Sequence, residues 1–138
     1  MEKIEHWKFG DTKKEADKLS NLVLSGKKTA TSSLYDSYKS KQVPIPKKRV
    51  KSIITDSKGF PLCMVLNTKV EIKKFKEINT LFAKKEGEGD LSLRFWRKTH
   101  KRFFTKRIKR MNKKFSEEIL VVCVTFKVLK VFKTNTRS

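Results

Sequence analysis

Few residues of this chain can tie it together covalently or through a metal. Its 138 residues include two cysteines, two histidines, five glycines and three prolines. Two cysteines do not make the dense disulfide framework of a small secreted domain. Cys63 and Cys123 sit in apolar runs and read as small buried hydrophobes in a reducing compartment. With His6 as the sole companion of His100, no zinc-ligand spacing is present, and no metal or cofactor is expected. No apolar run approaches the ~18 residues of a membrane span, and no secretory leader is recognisable, so the expected location is cytoplasmic. A glycine-rich phosphate loop and a Ser-His-Asp order are likewise missing. Acids are scarce: 14 Asp and Glu face 35 Lys and Arg, a formal charge of +21.

Core material is nevertheless sufficient. Apolar residues make up 37% of the chain, with ten Phe and two Trp, which argues against disorder, and the length suits a single domain over residues 1–138. The positive charge is spread along the whole chain. It reads either as a surface for an anionic partner, nucleic acid ahead of membrane, or as a lysine-biased composition with no dedicated face.

Apolar residues Ala16, Leu19, Leu22 and Val23 recur at helical spacing before Gly26, predicting a helix over about 12–25. Thr29–Tyr35 suits a strand or extended loop, and Asp36–Lys48 has no apolar period and reads as a connection. Asp56-Ser57-Lys58-Gly59 separates two β-prone runs, Val50–Thr55 and Pro61–Val70, as in a hairpin. Asn79–Lys85 suits a short helix. Leu93, Trp96, His100, Phe104 and Ile108 predict a long amphipathic helix over about 91–112, with Asp90 as N-cap. Leu120–Phe132 is the strongest strand, and 134–138 reads as a frayed tail. The order predicts an α+β fold: a small β-barrel or curved antiparallel sheet flanked by helices.

The densest acidic cluster is Glu86-Gly87-Glu88-Gly89-Asp90, set between lysine-rich segments. Glycine permits a tight turn and close approach to a ligand, so this loop is the first place to look for chemistry. The helix that follows carries Arg94, Arg97, Lys98, Lys101 and Arg102 off its apolar stripe, a candidate face for nucleic-acid phosphates. Trp96 on the stripe reads as core rather than as a stacking platform. His100, one turn on, fits a core-edge histidine, a proton carrier or a phosphate contact.

Taken together, Trp7-Lys8-Phe9-Gly10-Asp11, Leu22–Leu34 with its Gly26-Lys27-Lys28-Thr29-Ala30-Thr31 run, Pro61-Leu62-Cys63, Val70-Glu71-Ile72, the Glu86–Asp90 loop and Phe115-Ser116-Glu117-Glu118 resemble the ASCH domain, a PUA-like family of small β-barrel proteins. The resemblance implies binding of RNA or a modified nucleoside in a cleft between the Gly26–Thr31 segment and the Glu86–Asp90 loop. Gly26, Thr29, Ser33, Glu88, Trp96 and His100 would contact the substrate. Some relatives hydrolyse the amide of N(4)-acetylcytidine, and ribonuclease activity is attributed to others. Carried over residue by residue, the hydrolytic set would be Lys28, Thr31 and Glu86. Thr31 would attack, Lys28 would act as base if burial lowered its pKa, and Glu86 would shuttle the proton. A non-catalytic RNA-binding module is the alternative. The chain departs from the family where relatives often carry Gly-Asp before the second strand; here Arg49-Val50 lies within Lys47–Lys51.

Overall fold

Polar residues at its two ends delimit the first helix. In the computed structural model, which describes residues 4–132, Thr12 caps α1 (Lys13–Leu24). The Thr12 hydroxyl accepts from the Glu15 amide at 3.1 Å, and the Glu15 carboxylate accepts from the Thr12 amide at 3.2 Å. This reciprocal pair satisfies amides that the helix itself cannot. At the other end Gly26 takes φ +84°, its amide donates to the Val23 carbonyl, and the Lys27 amide reaches Leu22. That is a Schellman closure, which glycine adopts without strain. Ala16, Ser20 and Val23 form the buried stripe.

Five strands, β1 (Glu5–Trp7), β2 (Ala30–Leu34), β3 (Lys51–Thr55), β4 (Pro61–Lys74) and β5 (Leu120–Val131), form one sheet in the order β1-β3-β4-β5-β2. Among the described residues four α-helices accompany the sheet, which curls into a half-barrel, an α+β architecture. The β4–β5 register shifts at Met64/Val65 and at Asn67/Lys69, and such bulges bend and twist a strand. The hairpin at Asp56–Gly59 forms as expected: the Asp56 carboxylate accepts from the amides of Lys58 and Phe60 at 2.9 and 3.0 Å.

Two expectations are corrected here. Strand β1 (Glu5–Trp7), which the sequence did not signal, runs parallel to β3, so the sheet is mixed rather than wholly antiparallel. Within the expected connection at Asp36–Lys48 lies α2 (Tyr35–Lys41), which buries no residue and so leaves no apolar period to read. The 134–138 tail lies outside the described residues.

The sheet separates two apolar clusters. Leu34, Phe75, Trp96, Phe104, Val121 and Cys123 belong to one; Phe9, Val23, Ile54, Cys63, Val65 and Phe126 belong to the other. The two cysteines are free and lie in different clusters. Burial pushes the Cys123 thiol up to about 12.

Arg49 resolves the departure noted in the sequence. It stands at φ +69°, and its amide donates to the Asn67 carbonyl at 2.8 Å. The turn that glycine makes freely is therefore made here by a residue with a side chain, at a cost of about 1–2 kcal/mol. Arg49→Gly is expected to stabilise the fold by about 1 kcal/mol once glycine's extra unfolded-state entropy is counted. A urea titration checks this, and an unchanged or lowered midpoint contradicts it.

Candidate functional site

The site is assembled where the chain leaves α1 and where it leaves α3 (Thr80–Glu86). Gly87 ends α3 at φ +74°, and a Cβ there would lie 2.2 Å from the Lys27 carbonyl oxygen. Only glycine lets these backbones pass so closely. Just beyond the contact, the Thr29 amide donates to the Lys85 carbonyl at 2.7 Å. The two segments expected to border a cleft therefore touch main chain to main chain. Between them Lys28 and Glu86 are fully enclosed, at 2% and 1% exposure.

Every ammonium proton of Lys28 has an acceptor. It reaches Glu86 Oε1 at 2.6 Å, Glu88 Oε2 at 3.3 Å and the Glu86 carbonyl at 3.4 Å, and the Phe9 ring centroid lies at 5.4 Å. The other Glu86 oxygen, Oε2, accepts from the Ser32 hydroxyl and from the Trp96 indole nitrogen at 3.0 Å, with His100 Nε2 at 3.4 Å. Trp96 and His100, one turn apart on α4 (Leu93–Lys109), stack with ring centroids 4.2 Å apart. Glu88 is the half-open member, its side chain 18% exposed.

Burial alone would lower the Lys28 pKa, but Glu86 and Glu88 outweigh it and the pKa rises. In this resting geometry Lys28 is held as an ammonium between two carboxylates. Burial would likewise raise Glu86, yet Lys28 and His100 hold its carboxyl far below the usual carboxylate range. Burial pushes His100 down, and Glu86 more than reverses this, so its pKa ends above the ordinary value. The tautomer explains why. His100 Nδ1 must donate to the Trp96 carbonyl at 2.9 Å, so a neutral ring would turn a bare Nε2 lone pair toward the Glu86 carboxylate.

The fold is that of a known family. Residues 5–130 match the family model described as the ASCH domain. The chain belongs to the ASCH domain family. Its PUA-like architecture is shared by two similar crystal structures. Protein EF3133 from Enterococcus faecalis V583, assigned to the family model DUF984, is 35% identical with a TM-score of 0.87, covering 95% of this chain and 79% of that one. An ASCH domain from Lactobacillus crispatus JV V101 is 30% identical with a TM-score of 0.87, covering 92% and 80%. No curated protein matches the chain.

This ASCH domain gathers some of the expected residues and separates others. Lys28, Glu86, Glu88, Trp96 and His100 converge. Gly26 and Thr29 shape the approach through backbone geometry. Thr31 does not join them: side chains alternate along β2, and because Ser32 reaches Glu86, Thr31 lies on the opposite face with Val124 as its cross-strand partner. Ser33 shares that face, its hydroxyl 2.6 Å from that of Tyr38. Ser32 is the contributor that sequence reasoning passes over, because four hydroxyl residues lie between 29 and 33 and only the register selects one. Asp90 is not the cap of α4. Ser92 is, accepting from the Phe95 amide at 3.0 Å, while the Asp90 carboxylate accepts from the Ser92 amide one step earlier. Arg94, Arg97, Lys98, Lys101 and Arg102 are all exposed on α4.

Glu86, Glu88 and His100 bring donor atoms within 4.8 Å of one another, a grouping that could hold a metal. Here the Lys28 ammonium sits against both carboxylates and supplies the cation.

The raised His100 pKa has a defined consequence. A group whose folded pKa exceeds its unfolded value stabilises fully below the unfolded pKa, ~6.5 for histidine, and loses that contribution as pH rises through the folded pKa. The groups facing it are Glu86 and Glu88, with Lys28 beyond them. Thermal stability is expected to fall between about pH 6.5 and the folded value, and His100→Asn should flatten that slope. Parallel slopes in the two proteins would contradict the assignment.

Proposed function

We propose that this protein is a nucleic-acid-binding ASCH module that reads a base at the Glu88 edge of the Lys28–Glu86 centre and holds the strand on the basic face of α4. The observation that carries this is the enclosed, fully bonded Lys28–Glu86 pair with Glu88 left half-open. Buried ion pairs are weak contributors to stability compared with apolar packing, and perturbed groups of this kind cluster at functional sites. Glu86 has no oxygen to spare. Glu88 engages Lys28 through Oε2, which leaves Oε1 to accept an exocyclic amino group such as cytosine N4. Glu88→Gln is expected to weaken a cytosine-containing single-stranded RNA by roughly 5- to 100-fold, the range of a lost base contact, as read by fluorescence anisotropy. Unchanged affinity would refute the base-reading role.

A hydrolytic reading keeps one observation in its favour: the Ser32 hydroxyl donates to Glu86, a nucleophile bonded to a carboxylate. In that reading Ser32 is the attacking hydroxyl in amide hydrolysis of N(4)-acetylcytidine, in place of Thr31 on the opposite face. Cytidine release abolished by Ser32→Ala and retained by Thr31→Ala would establish it. No release by the wild type would leave the binding module.

A further inference from the structure

One strand from Ser32, the same face of the sheet carries a cleft of about 70 Å³. Its floor includes Cys123 and Thr125 of β5, the cross-strand partners of Ser32 and Ala30. Adjacent strands are only ~4.8 Å apart, so the cleft adjoins the Glu86 centre. Alternation along β4 brings Lys69, Glu71 and Lys73 to one wall, and Asn79 and Lys85 flank the other.

The charge there is unbalanced. Three lysines against one carboxylate leave a surplus of two. Glu71 lies 3.6 Å from Lys69 and 3.8 Å from Lys73, and it is shared between them. Among the described residues Lys85 makes no ion pair. The Asn79 side-chain oxygen is committed to the Phe82 amide at 2.9 Å, which leaves its NH₂ as a donor. The space is several times the ~10–15 Å³ that one water needs on the same measure, enough for a tetrahedral oxyanion. It is far below the ~300 Å³ of a pocket that would enclose a whole small molecule.

We infer that this cleft binds a phosphate group, so that the ligand read at Glu88 is phosphorylated: a nucleotide or a phosphodiester strand rather than a free nucleoside. This rests on the base-reading site proposed above and names its ligand class. The base lies at the Glu86 end and the phosphate one strand away, between β4 and α3.

The test uses the full chain with three probes: cytidine, cytidine 5′-monophosphate and an unstructured eight-nucleotide RNA containing cytosine. Lys73→Gln/Lys85→Gln is compared with Lys13→Gln/Lys14→Gln, a charge-matched pair on α1, after circular dichroism shows both folded. The wild type should bind the monophosphate at least tenfold more tightly than cytidine. The Lys73/Lys85 pair should abolish that preference while leaving cytidine affinity unchanged, and should lower the RNA salt slope by about 1.4, or ~0.7 per lost phosphate contact. Losses for both phosphorylated probes assign the cleft to any phosphate, and loss for RNA alone assigns it to a strand's diester. Equal binding of cytidine and its monophosphate together with an RNA salt slope unchanged in the Lys73/Lys85 pair, or equal losses in the α1 pair, would overturn the cleft's role while leaving the base site intact. Failure of all three probes to bind the wild type would overturn both.

Discussion

Glu86→Ala is expected to lower the melting temperature by about 10–20 °C. Removing this carboxylate takes the main partner from an enclosed ammonium and the acceptor from Ser32, the Trp96 indole and His100 at once. Breaking a buried pair by deleting one partner costs about 3–5 kcal/mol, and each kcal/mol shifts a domain of this size by roughly 3–5 °C. The pair itself need not be a strong net stabiliser, because desolvation offsets much of its attraction. Lys28→Met/Glu86→Gln should therefore recover most of the loss, since glutamine keeps an acceptor for the three donors and methionine fills the lysine stem's space. A drop below ~5 °C for Glu86→Ala would mean that the interior rearranges around an unpaired Lys28 at little cost.

The second large effect concerns salt. Arg94, Arg97, Lys98, Lys101 and Arg102 are exposed along α4, while the aromatic residues Trp96 and Phe104 are buried on its inner face. In the proposed reading such a face would hold phosphates, with no aromatic side chain of the buried stripe free to stack a base. If all five contact a single strand, the salt slope is about −3.5, and affinity for RNA falls roughly a hundredfold between 50 and 200 mM salt. Arg97→Glu/Lys101→Glu should weaken binding by a similar order, evenly across sequences, whereas Glu88→Gln should weaken cytosine-containing strands selectively. Anisotropy titrations at three salt concentrations separate the two. A flat salt response would mean that the +21 charge is compositional and α4 merely a solvated face.

What the sequence discloses follows from the range of each interaction. Thr12, Gly26 and the Asp56–Gly59 turn act over three or four residues, so α1 and the β3–β4 hairpin are legible from local signals. The amphipathic period of α4 is legible too, but its start is not: Asp90 and Ser92 are both good caps, and only the positive φ of Leu91 turns the chain so that Ser92 begins the helix. Helix α2 has no buried face and hence no period. At the site, the pairing of Lys28 with Glu86 is implied by family resemblance, but their mutual enclosure is not. It depends on Gly87 passing against Lys27, a contact between residues sixty apart in sequence. The selection of Ser32 over Thr31 is a matter of strand register, which composition does not encode.

Whether an RNA base docks at the Glu88 edge of the Lys28–Glu86 centre can be read residue by residue. The measurement is amide chemical-shift mapping of the full chain during titration with a cytosine-containing single-stranded RNA. Base reading at Glu88 should give saturable shifts at residues 28–32 and 86–89 together with the exposed face of α4. Shifts confined to α4, with the Lys28 and Glu86–Gly89 amides unmoved at saturation, would contradict it.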